Sequence, residues 1–211
     1  MLHVRKELAD YINTPLTYNE NGDLMYHNMS IMNEFERPLI QHIAKTIVHR
    51  GGSVLNIGYG LGIFDKKVEE IGVRIHTIME CHPNVVASID IPTATIYVGP
   101  WQEHIDALIE NGQKYDCVFF DTYMFNKNCL DDEWFLFMKY ADKLLNKYGK
   151  ISMFNWFKDG VEVTQELKDG MKHLKLHEET YEINGHKYKH LYWEKEDEQN
   201  RSNVKESTKE N

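Results

Sequence analysis

The chain has 211 residues, 42% hydrophobic and 12% aromatic, enough to bury one sizeable core. A formal net charge of -9 argues against binding a phosphate backbone, so nucleic acid is not an expected partner, whereas a cationic small substrate would be welcome. No apolar run reaches the roughly 18 to 20 residues of a membrane span, there is no signal-peptide core, and Cys81, Cys117 and Cys129 form no C-x-x-C pair; a cytoplasmic protein with reduced thiols and no membrane partner is expected.

Residues 1–30 carry a short helical pattern (Val4, Leu8, Tyr11, Ile12), then Pro15 and a turn-rich run from Asn19 to Asp23. The stretch is too small for a domain. It reads as a lid over a site or, equally, as an N-terminal helix packed on the core. Met32 to His49 gives an amphipathic helix with Phe35, Leu39, Ile43, Ile47 and Val48 on one face, and Pro38 either places its start near Arg37 or kinks it.

Ser53 to Gly62 reads S-V-L-N-I-G-Y-G-L-G, a buried strand running into three alternate glycines, with a helix following from Ile63 to Glu70. Further strands are predicted at Arg74 to Met79, Ala94 to Val98, Tyr115 to Asp121 and Lys150 to Asn155. They alternate with helices at Asn84 to Ile89, Trp101 to Asn111, Asp131 to Asn146 and Val161 to Lys172. His173 to Ile183 and Lys187 to Trp193 are joined by Asn184-Gly185, a hairpin signal. The expected fold is α/β: a Rossmann-like, doubly wound, mostly parallel seven-stranded sheet with a C-terminal antiparallel hairpin and helices on both faces. Residues 31–194 would form this domain, and 195–211, almost without apolar residues, a disordered tail.

A strand, a glycine turn and a helix in that order suit a nucleotide-type cofactor, because glycine lets the backbone turn sharply and approach a ligand. Glu80, 22 residues after Gly58, stands where a carboxylate accepts hydrogen bonds from ribose hydroxyls. The spacing is G-x-G-x-G, neither the dinucleotide fingerprint nor a phosphate loop, which leaves S-adenosylmethionine as the fitting cofactor. Its expected contacts follow the strand ends: Gly58, Tyr59, Gly60, Gly62, Ile63, Glu80, Cys81, Trp101, Gln102 and Asp121. Asp121, closing D-C-V-F-F-D, is the leading candidate for direct work on substrate, where a carboxylate holds an amine or guanidinium by charge-assisted hydrogen bonds. Tyr59, Tyr123, Trp156 and Phe157 are candidates to wall a cation site with their rings. The eleven histidines are scattered without a third ligand near any pair, so no metal is expected.

Several segments carry a more specific signal: I-M-N-E-F-E-R-P at 31–38, the glycine segment at 51–62, I-M-E-C at 78–81, G-P-W-Q-E at 99–103 and Y-D-C-V-F-F-D-T-Y at 115–123. On these the chain resembles class I S-adenosylmethionine-dependent methyltransferases, in particular guanidinoacetate N-methyltransferases and arginine δ-N-methyltransferases. L-T-Y-N-E-N-G-D-L-M at 16–25 resembles the latter more weakly. The resemblance implies that Glu36 and Asp121 grip a guanidino group from two sides and act catalytically, with Asn155 near the substrate-facing loop; Tyr123, Trp156 and Phe157 are expected at the substrate from their places just after the strands. The substrate would be a small molecule or an arginine-containing chain, and a homodimer is left open. Two departures stand out: Asn56 replaces the acid common before the glycine motif, and Phe157 and Lys158 replace a threonine-serine pair. Transfer to another amine or a phenol, an aminopropyltransferase and a non-catalytic cofactor-binding subunit remain alternatives on the same fold.

Overall fold

The computed structural model describes residues 2–123, 129–154, 174–183 and 185–197. Helix α1 (Leu2–Asn13) leads into three short strands, β1 (Thr17–Tyr18), β2 (Leu24–Tyr26) and β3 (Met29–Met32), which pair in sequence as a small antiparallel sheet. This sheet was not expected from the sequence. Asn19 organises its first turn, its side-chain oxygen accepting from the backbone of Asn21 and Asp23. A 3₁₀ turn (Glu34–Glu36) then feeds α2 (Arg37–Ile47), so Pro38 sits in the first turn, where its missing N–H costs nothing. Met32 itself ends a strand, and the helix expected from that residue begins five positions later.

The main sheet is built by β4 (Ser53–Ile57), β5 (Ile75–Glu80), β6 (Thr95–Val98), β7 (Tyr115–Phe120), β8 (Leu145–Met153), β9 (Leu174–Ile183) and β10 (His186–Lys195). Their order is β6-β5-β4-β7-β8-β10-β9, with the first five parallel and β10 antiparallel to both of its neighbours. The connecting helices are α3 (Ile63–Ile71), α4 (Pro83–Ser88), α5 (Ile105–Glu110) and α6 (Cys129–Leu144). The predicted seven-stranded, doubly wound sheet with its terminal hairpin is therefore present. Two boundaries differ. Trp101 to Asn111 divides into a 3₁₀ turn (Trp101–Glu103) and α5, and β8 opens at Leu145, where Tyr148 takes a positive φ of 62° and the pairing with β7 shifts register. The predicted helix Val161 to Lys172 and the tail beyond 197 lie outside the described residues.

Side chains alternate across the sheet as a buried parallel strand requires. Val54, Cys117 and Phe119 pack on the face covered by α2 and α3, while Leu55, Ile57, Val118 and Phe120 pack with α5 and α6. Stacked ring pairs mark both layers, Phe64 on Phe119 at 4.3 Å and Phe120 on Phe137 at 4.6 Å. The chain leaves β4 for β5 and β6 on one side and returns to β7 on the other. Strand order thus reverses between β4 and β7, and ligands of open α/β sheets bind outside the carboxyl ends at such a point.

Candidate active site

At that reversal the backbones of Gly58 and Asp121 meet. Gly58 has φ 94°, and a Cβ added to it would stand 1.8 Å from the Asp121 carbonyl oxygen. Only glycine fits there. The loop is braced from the small sheet as well: the Leu61 N–H donates to Met32 Sδ, and a Cβ on Gly60 would meet the same sulfur.

The two strand ends open into a cleft whose free space, counting its solvent-open mouth, is about 890 Å³. Gly58, Gly60, Glu80, Cys81, Trp101, Gln102, Asp121, Glu36 and Tyr123 all line it. Tyr59, Gly62 and Ile63 do not. Tyr59 is buried beneath the loop, Gly62 caps α3 in a left-handed conformation with Tyr59 against it, and Ile63 is core. Asn155, Trp156 and Phe157 lie outside the described residues.

The cleft is acidic. Glu36, Glu80, Asp121 and Glu133 line it, and no lysine or arginine does among the described residues. Glu36 is buried and accepts from both the backbone N–H (3.1 Å) and the side-chain amide (3.0 Å) of Asn33. Burial nevertheless pushes its carboxyl up to about 7, with the charge of Asp23 adding and the Asn33 bonds opposing. Asp121, half-buried at the end of β7, is pushed up to about 8, first by desolvation and then by the charges of Glu36, Asp65 and Glu80. Glu80 accepts from the N–H groups of Tyr59 at 2.9 Å and His82 at 2.7 Å, which fixes its carboxylate against the loop.

Three contributors escaped sequence reasoning. Glu133 of α6 accepts from Trp101 Nε1 at 3.2 Å and Gln102 Nε2 at 3.1 Å, so both residues expected beside the adenine are held by one carboxylate. Tyr11 of α1 reaches the cleft and stacks on Tyr123 at 5.5 Å, with Tyr26 edge-on to both. Met32 braces the glycine loop. Glu133 and Met32 had no signal in sequence, because each acts on a partner at least 28 residues away along the chain; Tyr11 lay in the segment read as a lid, but its stacking on Tyr123, 112 residues on, was hidden for the same reason.

A sequence model of the family described as guanidinoacetate N-methyltransferase matches residues 8–199. The chain belongs to that family.

Among curated relatives of this guanidinoacetate N-methyltransferase family member, a protein arginine N-methyltransferase 2 of Yarrowia lipolytica is 31% identical over 160 residues, covering 69% of this chain and 33% of the relative. One of Aspergillus fumigatus is 27% identical over 180 residues, covering 82% and 42%. The chain thus spans a third to two-fifths of the length of the curated relatives it matches. Among solved structures, a putative SAM-dependent methyltransferase from Streptococcus mutans aligns at TM-score 0.63 with 12% identity, covering 85% of this chain and 55% of that one. The O-methyltransferase TomG of Streptomyces achromogenes, in complex with SAM, aligns at 0.54 with 13% identity, covering 77% and 80%. These likenesses are of fold.

S-adenosylmethionine, the cofactor of the family, suits the residues present. Its sulfonium is a cation and it carries no phosphate, which matches a cleft lined by carboxylates without a basic side chain. The Cβ-intolerant Gly58 gives the close backbone approach that an amino-acid and nucleoside cofactor needs.

Proposed function

We propose that the chain catalyses S-adenosylmethionine-dependent N-methylation of a guanidino group, carried by arginine in a polypeptide or by an arginine-like small molecule. The observation that carries this reading is the pair Glu36 and Asp121, two carboxylates from separate elements facing one cleft with their pKa values raised. Raised carboxyls mark a place that lacks a positive charge, and a planar guanidinium with several N–H donors supplies both charge and hydrogen bonds. The name shared by the curated relatives, protein arginine N-methyltransferase 2, supports arginine as the acceptor.

When bound, the cofactor supplies a methyl group on a positively charged sulfur. The protein's task is to present a nitrogen lone pair in line with that carbon. A guanidinium, with an arginine-type pKa of roughly 12.5 or more, has no free lone pair, so a proton must leave as the nitrogen–carbon bond forms. Glu36 and Asp121 orient the group, and Asp121 receives the proton; a carboxylate raised to about 8 is a better base than an ordinary one. Gly58, Gly60 and the loop hold the methionine end, Glu80 the ribose, and Trp101, Gln102 and Glu133 the adenine side. The N-terminal segment serves as the lid: Leu8, Tyr11, Leu24 and Met32 lie over the cleft and exclude water from the reacting groups. Tyr11 and Tyr123, stacked on each other where they line the cleft, add an aromatic wall beside the acceptor cation. No helix among the described residues is long and apolar enough to cross a membrane.

The test is a radiolabelled methyl-transfer screen over guanidino compounds, arginine peptides, amines and phenols. Transfer confined to guanidino acceptors is expected; label appearing only in amines or phenols would remove the role given to Glu36.

A further inference from the structure

Beneath the glycine loop runs a buried polar chain that the reaction itself does not use. Asn56, at the end of β4, is 1% exposed and spends both amide hydrogens inward, on the Gly58 carbonyl at 2.8 Å and on Asp65 Oδ2 at 2.7 Å. Both partners are acceptors, so the amide's orientation is fixed by them. Asp65, on α3, is fully buried, and its other oxygen meets His76 Nε2 of β5 at 2.9 Å. The second nitrogen of His76 faces Glu69 Oε1 at 3.0 Å, and Glu69 is held by Thr93 Oγ1 at 2.8 Å. Placed between two carboxylates, His76 has its pKa raised although burial works against the charged form.

A carboxylate at position 56 would face the Gly58 carbonyl and the Asp65 carboxylate with no proton to give either, so an amide belongs there while the acid sits on α3. The arrangement has a defined mechanical end-point. Gly58 is the residue caught between Asn56 on one side and the Asp121 backbone on the other, where the cofactor loop meets the main chain of the residue that bears the reacting carboxylate. The Asn56 side-chain oxygen is buried without a hydrogen-bond partner. An apolar residue would spare the desolvation cost that such an orphan entails, so packing alone does not account for asparagine.

We propose that Asn56, Asp65 and His76 form a buried positioning relay that fixes the glycine loop through the Gly58 carbonyl and thereby sets cofactor affinity, with the acid moved from the strand to the following helix. The inference rests on cofactor binding and not on the identity of the acceptor.

The experiment is calorimetric titration of the full chain with S-adenosylhomocysteine, with wild-type binding as the control and melting temperature recorded for every variant. Asp65→Asn and Asn56→Asp should each weaken binding about tenfold or more. The double variant Asn56→Asp/Asp65→Asn, which exchanges acid and amide between strand and helix, should return to within about threefold of wild type. Asn56→Ser leaves the Asp65–His76 pair whole and covers the case in which the Asp65 variant folds poorly; weaker binding at a little-changed melting temperature is expected. Wild-type affinity in folded Asn56→Ser or Asp65→Asn, or an exchange variant no better than the weaker single, would overturn the relay. Failure of wild type to bind would instead overturn the cofactor assignment beneath it.

Discussion

Asp121→Asn should make the ligand-free protein more stable while abolishing most turnover. Asp121 stands among the charges of Glu36, Asp65 and Glu80 in a desolvated place, and its pKa is pushed from the ordinary 3.8 to about 8. The sign follows from linkage: a carboxyl raised in the folded state contributes stability that is present below pH ~4 and lost as pH climbs toward 8. At about 1.4 kcal/mol per pH unit the shift sets a ceiling of ~6 kcal/mol. Water reaching the half-buried carboxylate through the cleft relieves part of the strain, so a gain of a few kcal/mol, below that ceiling, is expected. Asparagine keeps the shape and removes the titration, so urea unfolding should show the variant equal to wild type at pH 4 and more stable by about that amount at pH 8. Methyl transfer should fall by roughly 10²- to 10⁴-fold, the usual worth of a general base. A variant that is less stable at pH 8, or whose gain is the same at both pH values, would refute the strained-carboxylate argument.

The same two carboxyls make activity rise with pH: kcat/KM should climb between about pH 6 and 8 as Glu36 and Asp121 ionise to receive a cation, and a profile flat over that range would contradict it. Gly58→Ala forces a Cβ onto the Asp121 carbonyl, so loss of cofactor binding and destabilisation by several kcal/mol are expected. Gly51→Ala, at a similar positive φ but in open space, should cost only about 1 kcal/mol, and thermal melts of the pair separate sterics from backbone strain. His190, buried against Ser152 at 2.7 Å, has its pKa lowered to about 3 by burial and by the neighbouring His42 and Lys150. Its stabilisation is complete above the unfolded value near 6.5 and is lost as pH falls toward 3, at up to about 1.4 kcal/mol per unit; His190→Gln should flatten that part of the melting profile.

The sheet was readable from sequence because its signals are local. Mostly apolar runs in β4 and β7, the glycines after β4 and Asn184-Gly185 between the last two strands each declare themselves within a few residues. What stayed hidden depended on partners far along the chain. Strands of two to four residues at 17–32 carry too few alternations to register, and I-M-N-E-F-E could pass for a helix start until the pairing of β3 with β2 showed otherwise. Along the chain Asp65 is an acid in the first turn of a helix and nothing more; its meaning comes from His76, which folding brings against it from the next strand. At the site, Glu80 and Asp121 were legible because residues at strand ends of an open α/β sheet converge, whereas Glu36 was legible only through the family resemblance of I-M-N-E-F-E-R-P. Glu133 sits inside a helix, and nothing in the sequence said which face of α6 would look into the cleft.

The placement of Glu36 explains why the small N-terminal sheet belongs with the site. Within five residues the chain provides Met32, whose sulfur accepts the Leu61 N–H of the glycine loop, Asn33, whose backbone and amide hold a carboxylate, and Glu36, the carboxylate so held. Asp23 fastens the same stretch from the preceding turn by accepting from the Glu34 N–H at 2.8 Å. A movement of β3 therefore cannot shift the cofactor loop without also shifting the acid that faces the acceptor. Across the cleft the Gly58–Asp121 contact makes the same connection through the main sheet. Cofactor loop and acceptor acids are thus tied twice, by two short routes on opposite sides of the cleft. In-line transfer demands this, because the nitrogen and the methyl carbon must be placed relative to one another and not merely each within its own pocket.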